Sequence, residues 1–271
     1  MSARFRDLLA AEWIKLWSLR STYWVLGGGA LAVVGVNANS AWSNARRLDG
    51  ARPGPVAEAD RFFRFDPLHS AFVEPAWQLF MVLAATVGAL CVVGEYGSGL
   101  IRTTFTAVPD RRAVIAAKAA VLATVLFALG AAVAGASFGV TQALLRDDGG
   151  LSLGDAGALR AVVGSALLAP VCALVGLALG AVVRHAAGAV ASAVGVLLLL
   201  PALFGGETYR WVKETGNAMP LAAWGRLVEN PAVPVAPERY PVTLAEAWTV
   251  LAAWPLVAVV VALTVVRRGD L

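Results

Sequence analysis

Six apolar runs separated by polar or basic connections constrain this chain more than any other feature. Taking roughly 20 apolar residues as one bilayer crossing, the runs cover about residues 23–42, 77–93, 113–145, 159–183, 186–204 and 248–266. With 59% hydrophobic and 15% charged residues in a chain of 271, there is more apolar surface than one globular core can bury. Lipid must cover much of it. The expected fold is an all-α polytopic membrane protein, a single domain over 1–271 with six transmembrane helices.

The runs carry their own local signals. The third, 113–145, would reach about 50 Å as a straight helix, well beyond the hydrocarbon thickness, so it must tilt, break or protrude. Pro170, Pro201 and Pro255 predict local kinks in the last three runs. Tyr23, Trp24 and Trp42 bracket the first run, as interfacial aromatic residues would. Gly135-x-x-x-Gly139, Gly176-x-x-x-Gly180 and Ala84-x-x-x-Gly88 predict close approach of helix backbones.

Orientation follows from the basic residues nearest the run ends. Arg20, Arg111, Arg112, Arg184, Arg267 and Arg268 all flank the same set of ends, which predicts that both termini lie inside. Residues 1–21 precede the first run as an interfacial helix, with Phe5, Leu8, Leu9, Trp13, Leu16 and Leu19 on one face and Arg4, Asp7, Lys15 and Ser18 opposite. Glu12 interrupts the apolar stripe. Two readings compete: a local pair with Lys15 three residues on, or a contact with a protein surface below the membrane.

On the outer side, residues 43–75 read as an irregular loop around Pro53, Gly54 and Pro55. Residues 205–246 hold two candidate short helices, from Glu207 to Lys213 and from Pro220 to Glu229, carrying Trp211, Met219, Leu221 and Trp224. They read as an extracellular cap or as a gate dipping into the outer leaflet. The prolines from Pro231 to Pro237 end any helix there.

The most distinctive connection is 94–112, a polar, basic, glycine-hinged segment between the second and third runs. Gly94, Gly97 and Gly99 permit a sharp exit from the membrane, Ser98 can cap a short helix, and Arg102 can make charge-assisted bonds to a partner. A docking element and a loop gripping lipid phosphates are both consistent with this composition.

Several chemistries are not written in the chain. No Gly-x-x-x-x-Gly-Lys-Ser/Thr phosphate loop is present, no Ser-His-Asp or Cys-His constellation falls on a common face, and His69 and His185 are too few and too scattered for a zinc site. No catalytic residue and no metal ligand is assigned. Cys91 and Cys172 lie within apolar runs and read as small hydrophobes. Lys118 is the one charged residue more than a turn inside a run, placed where its side chain can snorkel to the headgroups. Asn37, Asn39, Thr86, Ser137, Thr141, Gln142 and Ser165 are milder polar groups that can line a pathway or, more commonly, hydrogen-bond between helices.

Glu12-Trp13-x-Lys15 in the N-terminal helix, Glu95-Tyr96-x-x-Gly99-x-x-Arg102 and Pro109-x-x-Arg112 together resemble the membrane subunit of ABC-2-type transporters, and the likeness extends over the six-run layout. The resemblance implies an export permease of a bacterial cytoplasmic membrane, moving a lipophilic drug, antibiotic, lipid or peptide. It implies that Glu95, Tyr96, Gly99, Arg102, Thr103, Phe105, Pro109 and Arg112 belong to a coupling helix fitting a cytosolic ABC ATPase. ATP and Mg would sit on that partner and none on this chain, and a second permease copy or paralogue would complete the route. No nucleic acid partner is expected. A membrane-embedded enzyme such as a polytopic protease would need a catalytic cluster. An ion-coupled carrier would need paired buried carboxylates, and the sequence displays neither.

Overall fold

The computed structural model describes residues 5–18, 20–49, 66–108, 110–233 and 238–268; the side chains of residues 49, 101, 102, 105, 267 and 268 are outside that description. All regular structure among the described residues is helical. Helix α1 (Phe5–Ser18) meets α2 (Arg20–Asp49) at 75°. A short α3 (Pro67–Ala71) leads into α4 (Glu74–Gly97), and α5 (Leu100–Ala107) joins α4 to α6 (Arg111–Leu144). Helix α7 (Ala158–Val183) is followed by α8 (Ala186–Val194), a π turn (Gly195–Leu199) and α9 (Leu200–Leu203). Helices α10 (Arg210–Asn217) and α11 (Pro220–Val228) precede α12 (Leu244–Arg268).

Five stretches are long and apolar enough to cross a membrane, 67–97, 111–144, 158–183, 186–203 and 244–266, and α1 with α2 make a sixth if that bent pair counts as one span. Five of the six expected runs fall within the five stretches to within one residue at their ends. The first expected run lies in α2, whose glycine triplet Gly27, Gly28 and Gly29 and polar residues from Asn37 onward thin its apolar content. The long third run neither breaks nor bulges: α6 is one helix of 34 residues. The loop expected over 43–75 is partly helical, since α2 continues through Asp49 and α3 and α4 begin before residue 75; residues 50–65 lie outside the described part.

Helix α7 is the centre of the bundle, with 78% of its apolar window buried against 17% for the 186–203 stretch. Glycine decides how closely its neighbours approach. A Cβ on Gly88 of α4 would overlap the Ala173 carbonyl, and one on Gly176 of α7 would overlap the Ala85 carbonyl, so the two backbones touch directly. A Cβ on Gly180 would stand 2.7 Å from the Ala89 carbonyl oxygen, continuing the same seam. The expected motifs at Gly176-x-x-x-Gly180 and Ala84-x-x-x-Gly88 are therefore packing motifs. Gly135-x-x-x-Gly139 is not: both glycines are exposed and meet nothing within 4 Å. In α6 it is Gly130 that packs, against the Ala166 carbonyl, the acceptor that Pro170 leaves without its helical N–H partner.

The prolines are accommodated differently. Pro170 and Pro255 lie inside helices that continue through them. Pro201 stands past the π turn with one residue between, a register change that relieves the clash of a proline ring with the preceding turn.

At the end of the bundle away from α1, Trp77 is fully buried between Phe72, Phe80 and Trp224, with ring centroids 5.6 to 5.8 Å apart. The two short helices expected in 205–246 are α10 and α11. Trp211 on α10 is exposed, whereas α11 turns Ala223, Trp224 and Leu227 into the core. Arg160 at the start of α7 holds α11 in place, its Nε donating to the Leu227 carbonyl at 2.9 Å and its Nη2 to that of Glu229.

Candidate functional site

The α1 end of the bundle gathers α1, the C-terminus of α4, α5 and the N-terminus of α6. Helix α1 contains eight good helix formers in fourteen residues, with Arg6 and the run from Leu8 to Glu12 among them, and it packs by the stripe Leu8, Glu12 and Leu16 at i, i+4 and i+8. Phe5, Trp13 and Ile14 remain exposed. The expected apolar face is thus divided, and Glu12 is the middle of the packed stripe rather than an interruption in a lipid-facing one. Arg4 and Leu19 lie outside the described residues.

Glu12 is 5% exposed, Glu95 8% and Lys118 5%. Nζ of Lys118, two turns into α6, donates to Oε2 of Glu12 and, at 2.9 Å, to Oε1 of Glu95 near the end of α4. Nζ of Lys15 donates to Oε1 of Glu12 at 2.7 Å and to Oε1 of Glu95 at 2.9 Å. Two ammonium groups and two carboxylates therefore alternate in one neutral lattice spanning three helices. Removing four ions from water costs several kcal/mol per ion, about what their attraction and hydrogen bonds return when the set is complete. Deleting Lys118, the buried cation, leaves two buried carboxylates with only the part-exposed Lys15 between them.

This lattice corrects three expectations. Lys118 does not snorkel: it is buried and held by two carboxylates. Glu12 does pair with Lys15, and its other oxygen reaches across to α6, so the surface it meets here is one of this chain's own. Buried paired carboxylates, which the sequence does not display, exist as Glu12 and Glu95. The only lysines in the sequence are Lys15, Lys118 and Lys213, and two of the three are in the lattice. That was the available signal: in a chain whose other basic residues are all Arg, a lysine inside an apolar run needs a partner.

The hinge between α4 and α5 uses one glycine. Gly99 takes φ 71°, the left-handed region in which a Cβ is strained, and stands at the N-cap of α5 with no side-chain cap bond. Gly94 and Gly97 stay within α4, so they do not make the exit. Ser98 does not cap α5; its hydroxyl donates back to the Gly94 carbonyl at 2.8 Å and closes α4 instead. Helix α5 ends at Ala107, and Asp110 starts α6 by accepting from the Ala113 N–H at 3.1 Å.

The remaining residues expected in the coupling segment fall into two groups. Tyr96 is half-buried, and the Arg184 guanidinium lies over its ring at 5.1 Å, within cation–π range. Arg184 makes the turn between α7 and α8 with φ 55°, the single non-glycine residue with positive φ among those described. Thr103 and Arg112 are exposed, with the Thr103 hydroxyl donating to the Leu100 carbonyl at 2.8 Å. Pro109 and the side chains of Arg102 and Phe105 lie outside the described part. Glu95 does not share the exposure of Thr103 and Arg112; its carboxylate faces inward to the lysines.

Four of the polar residues along the runs, Asn37, Ser137, Gln142 and Ser165, bond between elements. Asn37 donates to the Ser137 hydroxyl at 3.1 Å and accepts from the Val73 N–H at 3.1 Å, joining α2, α6 and the start of α4. Gln142 donates to the Pro67 carbonyl at 2.8 Å and accepts from the Leu151 N–H at 2.7 Å. Ser165 accepts from the Trp224 indole at 2.9 Å. Thr141 is buried, and its hydroxyl has no hydrogen-bond partner among the described residues. Asn39 is exposed, and Thr86 lines a cavity beside the charged lattice. Among the described residues no group of three or more His, Cys, Asp and Glu side chains is placed to hold a metal ion.

A scan against protein-family models finds none that matches the chain, and a search of curated proteins returns no match.

Proposed function

We propose that this chain is the permease subunit of an ATP-driven ABC-2-type exporter of a bacterial cytoplasmic membrane, moving a lipophilic or amphipathic cargo. One observation carries the reading: Lys118 clasped by Glu12 and Glu95. It ties the interfacial helix α1 to both arms of the α4–α5–α6 hairpin, so a force on α5 reaches two long helices instead of dissipating at Gly99. A chain without a phosphate loop can move cargo uphill only if a partner's conformational change is delivered through an element with different contacts in two states.

In this reading α5 is the docking element, with Thr103 and Arg112 on its accessible surface and neighbouring turn. The α1 end is cytosolic, in keeping with Arg111, Arg112 and Arg184 clustered there. The six-span count, with α1 lying in the headgroup plane and both termini inside, belongs to the same proposal. ATP and Mg reside on a soluble ATPase, and a second permease copy or paralogue supplies the other half of the route.

The test is reconstitution with a candidate soluble ATPase, measuring co-purification and ATP-dependent export. Thr103→Glu is expected to abolish both while leaving thermal unfolding unchanged. Full ATP-dependent export by Thr103→Glu and Arg112→Ala together would overturn docking at α5. A chain that exports without any ATPase would overturn the whole reading.

The pair of buried carboxylates supports a second reading, a proton-coupled carrier. Both carboxylates are already paired with lysine, and they lie within two turns of helix ends rather than at mid-span. Uptake or efflux driven by a pH gradient in the absence of ATP would favour it.

A further inference from the structure

A cavity of about 480 Å³ lies between the α1–α2 corner and helices α4 and α6, a size within the range of about 300 to 1,000 Å³ seen for small-molecule sites. Glu12, Lys15, Glu95 and Lys118 form its polar end. Val87, Cys91 and Leu122 line its depth, and the exposed Leu90 and Leu100 stand at its mouth. Val87 is two helical turns from Glu95, so the apolar wall extends about 12 Å from the charges.

We infer that this cavity binds an uncharged amphiphile whose hydroxyl head sits on the charged lattice and whose apolar tail runs between α2, α4 and α6.

Three observations select that chemistry. The lattice sums to zero, two carboxylates against two ammonium groups, so a charged head would leave a net charge in a largely apolar surround, whereas a neutral head adds none. The lattice also has unused capacity of both kinds. Oε2 of Glu95 has no hydrogen-bond partner among the described residues, and each lysine uses two of its three N–H donors on the carboxylates. A hydroxyl is the smallest group that fills both, donating to Glu95 Oε2 and accepting from an ammonium N–H. Finally, the surface beyond the lattice is mostly apolar although Ser18, Ser21, Thr22, Thr86 and Ser98 interrupt it, and the Ser18 and Ser98 hydroxyls are already donated to backbone carbonyls, which suits an alkyl tail better than a second charged group.

The inference concerns a ligand site in the single chain and needs neither ATP nor an ATPase, so its outcome stands apart from that of the export assay. The experiment uses the full chain in lipid nanodiscs and three probes with the same ten-carbon, diazirine-tipped tail: the alcohol, the primary amine and the carboxylate. After irradiation, cross-linked peptides are mapped by mass spectrometry. The alcohol is expected to label the segments around Val87–Cys91 and Val121–Leu122 in a saturable way, with the amine and the carboxylate at least several-fold weaker. Val87→Phe, which occupies the depth of the cavity, is expected to remove that labelling. The unmodified chain decides the matter even if that variant fails to fold. Equal labelling by all three probes would show a crevice without head-group selection and overturn the assignment, as would stronger labelling by the amine or the carboxylate. Labelling confined to outward-facing residues such as Phe127 and Leu256, or none at all, would leave the cavity with water or nothing and overturn it equally.

Discussion

The two ends of this bundle solve the same problem with different chemistry. At the α1 end, three buried ions and a part-exposed fourth, Lys15, come together from three helices, and the buried ones depend on the others for their compensation. At the opposite end, neutral groups bridge the helices: Asn37 to Ser137 and Val73, Gln142 to Pro67 and Leu151, Trp224 to Ser165. A neutral bridge can be lost one bond at a time, at a cost near 1 kcal/mol each in a membrane. An ionic lattice loses far more when one of its buried members, Glu12, Glu95 or Lys118, is deleted, because the remaining buried charge is left uncompensated.

Breaking the lattice at its centre tests the comparison most severely. Lys118→Ala leaves Glu12 and Glu95 buried together and is expected to destabilise the chain by about 3 to 5 kcal/mol, read as unfolding in detergent titrations. The combined Glu95→Gln, Lys118→Met variant, which leaves Glu12 and Lys15 as a balanced pair, is expected to recover most of that loss. If Lys118→Ala unfolds no more easily than the native chain, the lattice is not a unit.

The seam that links the two ends comes next. Gly176→Val drives a side chain into the Ala85 carbonyl and should cost about 1 to 3 kcal/mol, typical of an overpacked interface. Gly135→Val is the control, since nothing lies within 4 Å of that position, and its unfolding should match the native chain. At the neutral end, Asn37→Ala is expected to cost about 1 kcal/mol in the same titration. A loss as large as that of Lys118→Ala would erase the distinction between the ends. The smallest effect belongs to Lys15→Ala: with 29% of its side chain exposed, solvent can stand in for it, and the expected loss is below about 1 kcal/mol. Thermal melts of the pair Lys15→Ala and Lys118→Ala side by side would show whether burial sets the ranking.

What sequence reasoning reached and missed can be followed in single residues. The helices at 74–97, 111–144, 158–183 and 244–268 are where the apolar runs lie, because a run long enough to cross hydrocarbon must satisfy its backbone within one helix. Glu95 was legible as important through its place in the glycine-hinged segment, although it faces its own chain. Lys118 was legible only as an oddity. Its partner Glu12 is 106 residues away, and a helical period relates a residue only to its neighbours three and four positions along. Gly130 and Gly135 look alike in an Ala- and Gly-rich run, and only the position of Ala166 separates the one that packs from the one that does not. The π turn before Pro201 was likewise hidden, since a proline signals that a helix must adjust without saying how.

The amino-acid sequence alone determined that this chain is helical, how long its helices are and that most of them suit a lipid environment, because those properties follow from the length and apolarity of local runs. The tertiary structure decided which polar residues meet. Placing the only two lysines of the α1 end between Glu12 and Glu95 took the packing of α1 against α4 and α6, because compensation of a buried charge depends on distance in space and not along the chain.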